Sequence, residues 1–204
     1  MGSAIDKNGM TEAQFLAAYD VTRYFRPSVT VDAVLCRVNY VGGRVLLIKR
    51  GGHPYLGLWA FPGGFVEESE PCETAVAREL KEETGITGID LRQLVTVSTP
   101  LRDPRWRNIT IVYYAEPKSD IPAIGGDDAA MAKWFDFSVG LEENRARLVL
   151  KSDGEEFCEE LELVRDAFGE IDLNKTTITK RGGMAFDHAK ILCYLYDTVK
   201  RGIR

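Results

Sequence analysis

Residues 63–86 read GGFVEESEPCETAVARELKEETGI. The stretch passes from a glycine pair into a helical pattern. Pro71 stands where a first helical position tolerates a missing N–H, and Gly85 where a helix stops. Between them Ala75, Val76 and Leu80 give one apolar stripe. Glu79, Glu82 and Glu83 fall within about a third of the circumference, at ~100° per residue. Like charges one turn apart repel by ~0.2–0.5 kcal/mol per pair, and lysine would serve a solvated face as well. A divalent cation offsets that repulsion. Mg²⁺ takes oxygen ligands, keeps several waters and bridges to substrate phosphates. A carboxylate-bearing helix beside a loop free to offer a backbone carbonyl suits it. A solvated acidic face is the other reading of the same residues.

Outward from this helix the chain alternates short elements. TEAQFLAAY (11–19) reads as a short helix. SVTVDAVLCRV (28–38) is β-branched and reads as a strand, paired across a Gly42-Gly43 turn with RVLLIKR (44–50). GGHPYLGLWAFPGG (51–64) reads as a loop. Strands are expected at 91–98, 108–116 and 132–137, and a hairpin over 147–164 around Asp153-Gly154. FDHAKILCYLYDTVKR (186–201) places Ile191, Leu192, Leu195 and Val199 at helical spacing. Strands interrupted by one central helix and closed by another indicate an α+β, αβα arrangement.

The 204 residues suit one domain with an embellishment. An apolar fraction of 45% allows a true core, and the formal charge of −5 argues against a general nucleic-acid binder. Cys36, Cys72, Cys158 and Cys193 are scattered without a C-x-x-C pair, so reduced thiols in a cytoplasmic protein are expected. The start has no apolar signal region and no run is long enough to cross a membrane. Residues 1–10 are read as a disordered lead or a cloning remnant, and 11–204 as the domain.

Gly64, Glu70 and Arg78-Glu79-Leu80-Lys81-Glu82-Glu83-Thr84-Gly85-Ile86 fill every fixed position of the pattern G-x5-E-x7-R-E-U-x-E-E-x-G-U. The chain therefore resembles the Nudix hydrolases. RPSVTVD (26–32), GLWAFPGGFVE (57–67), RDPRWR (102–107), GDDAA (126–130) and MAFDHAKIL (184–192) are similar to one branch of that family. That branch holds ADP-ribose pyrophosphatases and Nudix-derived regulators of NAD metabolism. The resemblance runs from about residue 11 to the C-terminus and implies an αβα sandwich with a mixed sheet. Residues 142–182 match least and read as an inserted hairpin before a closing helix at 184–201.

The resemblance implies roles for individual residues of the site. Glu79 and Glu83 would be metal ligands, Glu82 a further or water-mediated one, and the Gly63 carbonyl would complete the shell of a Mg²⁺ or Mn²⁺ ion. Arg78 and Glu70 would orient these carboxylates by pairing. Water would attack a phosphorus of a nucleoside diphosphate linked to another moiety. Asp127 or Asp128 is the candidate general base, a solvated turn being the alternative. Arg50, Arg102 and Arg105 are the candidates for the diphosphate, since guanidinium is a planar fork suited to phosphate. Trp106 or Phe25 could stack on adenine, or be core or interface. His188 matches a family position, although a helical histidine is usually structural, and His53 is a weaker candidate.

Three functions compete: hydrolysis of ADP-ribose to AMP and ribose 5-phosphate, hydrolysis of another nucleotide (dinucleotide, sugar nucleotide or damaged nucleotide), and non-enzymatic ADP-ribose sensing by a regulator. Regulators of this branch carry a winged helix after the FDHA helix, and they commonly lose box carboxylates. The chain ending at Arg204 and the full set of carboxylates favour an enzyme. A homodimer acting on a small nucleotide, with no nucleic-acid or membrane partner, is the accompanying expectation.

Overall fold

The computed structural model describes residues 4–123 and 129–202. Its elements are α1 (Glu12–Ala18), β1 (Ser28–Val38), β2 (Gly42–Arg50), β3 (Trp59–Ala60), β4 (Gly63–Phe65), α2 (Cys72–Thr84), β5 (Arg92–Val97), β6 (Asn108–Ala115), β7 (Ala129–Glu142), β8 (Arg145–Ser152), β9 (Glu155–Glu162), β10 (Thr177–Lys180) and α3 (His188–Lys200). The sheet runs β10-β9-β8-β7-β2-β1-β6-β5, with β3 on β2 and β4 on β1. It is mixed: β1 lies parallel to β6 from Ser28↔Asn108 to Leu35↔Ala115, and antiparallel to β2.

The alternation of side chains along a strand builds the three layers. On β1, Val31, Ala33 and Leu35 face α2, where they meet Ala75, Val76 and Leu80. Val34 and Cys36 face the other way, towards Ile191, Leu192 and Leu195 of α3. On β2 the same split sends Leu46 to the α2 side and Val45 and Leu47 to the α3 side. Both faces are apolar, as a sheet covered on both sides requires.

Several boundaries depart from the sequence reading. Gly42 and Gly43 lie within β2, not in the turn. A Cβ on Gly42 would stand 1.9 Å from the Phe137 carbonyl oxygen, and one on Gly43 2.0 Å from that of Arg37. The glycines admit close neighbouring strands, and the turn is made instead by Asn39, whose Oδ1 accepts the N–H of Val41 at 3.0 Å and of Gly42 at 3.0 Å. The loop expected at 51–64 contains β3 and the start of β4. Pro71 is the residue before the first turn of α2, and Gly85 closes that helix at φ +72°, a left-handed conformation glycine adopts freely.

The closing helix starts at His188, not at 184 or 186, because Met184 bridges to Trp59 in an extended segment. The hairpin around Asp153-Gly154 is β8–β9, which widens the sheet, and β10 pairs along its far edge. Helix α1 carries a Thr11–Gln14 capping box, yet none of its residues is buried. No described helix is long and apolar enough to cross a membrane.

Candidate active site

Strand β1 changes partner along its length, and this opens the site. Its first half pairs with β4 (Thr30↔Phe65, Asp32↔Gly63) and its second half with β2. Between the diverging strands, the first residues of α3 and the C-terminal turns of α2 lies a cavity of about 620 Å³. Asp32, Arg50, Gly63, Gly64, Glu79 and Glu83 are in its wall, as are Arg102, Asp103, Arg105, Phe186 and His188.

The carboxylates of α2 are held by the glycine pair and by one arginine. Gly63 N–H donates to Glu83 Oε2 at 2.8 Å. Gly64 has no side chain because the Glu79 carboxylate occupies that space: an added Cβ would lie 2.4 Å from Glu79 Oε1. Arg78 donates to Glu70 at 2.6 Å, Glu79 at 2.8 Å, Glu82 at 3.1 Å and the Phe65 carbonyl at 3.0 Å. The Glu70 bond is foremost in raising the arginine's own pKa. Glu82 is not part of the cavity wall; its side chain is 54% exposed and bonded to Arg78 alone among the described residues.

Burial is the main cause that raises Glu79 and pushes Glu83 up to about 8; each is also raised by neighbouring carboxylates. Asp32, buried on the cavity floor, is pushed up to about 7, again chiefly by burial, with Arg102 opposing. A site that resists ionisation of its own carboxylates is one that a divalent cation would relieve. Among the described residues no three Asp, Glu, His or Cys side chains form a ready-made ion cage. Mg²⁺ uses one or two carboxylates and completes its shell with water and substrate phosphate. Glu79 and Glu83 beside the Gly63-Gly64 backbone fit such an ion.

These shifts set a pH dependence. Glu83 and Asp32 bind protons more tightly folded than unfolded. Their stabilising contribution is therefore complete below the ordinary carboxylate range and is lost as pH rises through about 7 to 8. The metal-free protein is expected to lose several kcal/mol, or on the order of 10 °C of melting temperature, between pH 5 and pH 9. Glu83→Gln should flatten the profile. A parent profile already flat in EDTA would show that these carboxyls are not held in a charge-averse site.

The arginines differ in what holds them. Arg102 is buried, and its guanidinium grips Asp187 through Nε at 2.9 Å and Nη2 at 2.6 Å while Nη1 donates to Thr110 Oγ1. Arg105 clasps Asp103 (Nη2 to Oδ2, 2.7 Å) and stacks near Phe65 and Phe186, its Cζ 5.1 and 5.8 Å from their centroids. Arg50 donates to the Pro54 carbonyl at 2.8 Å and lies 4.9 Å from the Phe186 centroid. Burial, then the charge of Arg105, lowers its pKa. Arg50 and Arg105 thus converge on one aromatic ring, whereas Arg102 is committed to an internal ion pair.

His188 is internal too. Its Nδ1 accepts the Phe61 N–H at 2.9 Å, so the neutral ring carries its proton on Nε2, 3.5 Å from Asp32 Oδ2. Burial pushes its pKa down to about 3, so this pair is not a salt bridge. His53 lines the cavity as an exposed side chain. Phe25 and Trp106 pack on each other with centroids 6.1 Å apart, both more than 60% exposed and outside the cavity wall. Asp127 and Asp128 lie outside the described residues. Sequence reasoning missed Asp32, Asp103, Asp187 and Phe186. Of these, Asp32 had a signal: one acidic residue inside a β-branched strand.

The NUDIX domain family model matches residues 26–151. An ADP-ribose pyrophosphatase of Methanocaldococcus jannaschii is 42% identical over 116 residues, covering 56% of this chain and 65% of that protein. The ADPR responsive transcriptional repressor NtrR of Acinetobacter baylyi is 36% identical over 110 residues, covering 53% of this chain and 44% of the repressor. The matched part therefore spans less than two thirds of either relative. The crystal structure of a MutT/nudix family protein from Enterococcus faecalis superposes with a TM-score of 0.70 at 33% identity, covering 94% of this chain and 70% of the other. With the box, the sandwich and a match over more than half its length in agreement, the chain belongs to the NUDIX domain family.

Proposed function

We propose that the chain hydrolyses the diphosphate bond of ADP-ribose to AMP and ribose 5-phosphate, using Mg²⁺ or Mn²⁺ at Glu79 and Glu83. The observation that carries this reading is one cavity with two opposed chemistries. Raised carboxylates on α2 share its wall with Arg50 and Arg105, which stack against Phe186. A diphosphate carries charge for both. The pyrophosphatase relative at 42% identity supports ADP-ribose as the substrate.

A bound divalent cation lowers the pKa of water and offsets charge developing on the phosphates. The chain's own residues supply the positioning. Arg78 holds Glu79 in place from behind, and Gly63 N–H fixes Glu83. Arg50 and Arg105 bind the phosphate oxygens. Asp103, buried and bonded to Arg105 and to the Asn108 amide at 2.7 Å, keeps the guanidinium fork aimed. Asp32 and the neutral His188 line the floor, where they can accept from and donate to substrate hydroxyls.

The repressor relative favours a second reading, an ADP-ribose sensor without turnover. A panel of nucleoside diphosphate compounds incubated with Mg²⁺ and resolved by chromatography separates the readings. ADP-ribose should be consumed fastest; binding without product would favour the sensor, and faster turnover of a dinucleotide or sugar nucleotide would reassign the substrate. Arg105→Ala should lower kcat/KM for ADP-ribose roughly tenfold to a hundredfold, the scale of a lost hydrogen bond to a charged group. Arg105→Lys should recover only part, because an ammonium keeps the charge but not the fork. An alanine variant within twofold of the parent would make Arg105 a surface residue.

A further inference from the structure

We propose that the added β8–β9 hairpin is part of the substrate site, with Glu159 the positioning residue that sets Phe186, and through it the Arg50–Arg105 pair, for the diphosphate. The inference deepens the reading above and rests on it for the ligand. Glu159 on β9 has no solvent exposure. Its Oε1 accepts three consecutive backbone N–H groups, from Gly182 at 3.0 Å, Gly183 at 2.7 Å and Met184 at 2.8 Å. Among the described residues Oε2 has no hydrogen-bond partner and no cation lies within salt-bridge distance of the carboxylate. Burying a charge in this way is costly unless hydrogen bonds compensate it. An apolar residue would hold a sheet edge more cheaply, so the carboxylate marks the segment that it grips.

That segment is pressed onto β9 with no room for side chains. A Cβ on Gly182 would stand 2.2 Å from the Cys158 carbonyl oxygen, and one on Gly183 2.6 Å from the Phe157 ring. It is then tied to β3: Trp59 N–H donates to the Gly183 carbonyl at 2.8 Å, and Ala185 N–H to the Trp59 carbonyl at 2.8 Å. The next residue is Phe186, at φ +48°. A bulky side chain in the left-handed region is strained, and such a conformation persists only where its surroundings over-determine it. Glu159 and the β3 bonds fix the residues before Phe186, and the Asp187–Arg102 pair fixes the residue after it. The outcome is a ring presented to Arg50 at 4.9 Å and Arg105 at 5.8 Å, braced edge-on by Tyr55 at 4.8 Å. Two like charges are thereby kept close together before any phosphate arrives.

The test is ADP-ribose binding by calorimetry in EDTA, where hydrolysis cannot interfere, on parent, Glu159→Ala, Glu159→Gln and Phe186→Leu, each well below its melting temperature. Glu159→Ala and Phe186→Leu should weaken binding about tenfold, the scale of a displaced charged contact. Glu159→Gln, which retains an Oε1 acceptor, should stay within about threefold of the parent. With Mg²⁺ present, the alanine variant should show the loss mainly in KM. Parent-like affinity in Glu159→Ala with a lowered melting temperature would make the hairpin a structural extension only and overturn the proposal. So would parent-like affinity in Phe186→Leu, or no binding by the parent. If Glu159→Ala does not fold, the glutamine and Phe186 variants decide. The expected binding pattern without turnover in Mg²⁺ would remove the hydrolase reading and leave the Glu159 assignment standing.

Discussion

Glu79→Gln and Glu83→Gln are each expected to lower turnover by about two orders of magnitude or more at saturating Mg²⁺, the scale of losing several kcal/mol of transition-state stabilisation. The geometry says why neither residue replaces the other. Glu79 lies against Gly64 and is held by Arg78, and Glu83 is tethered to the Gly63 N–H, so each carboxylate is fixed by different partners. Neutralising either one also removes repulsion and an unfavourable buried charge. In EDTA at pH 8 both variants should therefore melt at or slightly above the parent temperature. A variant that loses activity together with stability would point to a folding defect instead. Near-normal rates in either variant would remove the metal-site assignment.

The second large effect concerns stability. Arg102→Leu is expected to destabilise the fold by about 3–5 kcal/mol, because Asp187 would be left buried without its partner. At roughly 2–4 °C per kcal/mol, melting should fall by about 10 °C. Both side chains are less than 10% exposed, and their two hydrogen bonds are 2.9 and 2.6 Å long. Burial alone would push the Asp187 carboxyl upward; the bonds and charge of Arg102 outweigh it and hold the carboxyl below its ordinary range. That contribution is present above the ordinary carboxylate pKa and is lost as pH falls through the depressed value. The double variant Arg102→Leu/Asp187→Leu should recover most of the loss, since an apolar pair carries no stranded charge. Thermal unfolding of the three proteins measures this, and an Arg102→Leu variant melting within 2 °C of the parent would contradict the pairing.

Much of the fold was legible because local signals agreed. The β-branched run at 28–38, the turn pair Asp153-Gly154 and the Pro71–Gly85 brackets each mark an element through its own chemistry. What stayed hidden depends on partners distant in sequence. Gly42-Gly43 resembles a turn, yet these residues are glycine because Phe137 and Arg37 backbone oxygens approach them. The four-residue β10 is too short to show periodicity and exists because β9 offers an edge.

The site follows the same rule. Glu79, Glu82 and Glu83 lie close in sequence on α2, so helical spacing grouped them, and the family pattern added Arg78 and Glu70. Asp32, Asp187 and His188 meet only where β1 and the start of α3 converge, and Asp103 only in a loop that folds back on Arg105. Arg50, Arg102 and Arg105 were all candidates as sequence, with Arg105 of the DPR triplet preferred. Burial and the Asp187 pair separate Arg102 from the other two.

The most direct measurement is the time course of AMP formation from ADP-ribose, followed by chromatography with Mg²⁺, after EDTA addition, and after Mg²⁺ is restored. AMP and ribose 5-phosphate should appear in equal amounts, stop with EDTA, resume with Mg²⁺ and form about a hundredfold more slowly, or slower still, with Glu83→Gln. Intact ADP-ribose in the presence of Mg²⁺, or product formation that continues in EDTA, would contradict a metal-dependent hydrolase built on these carboxylates.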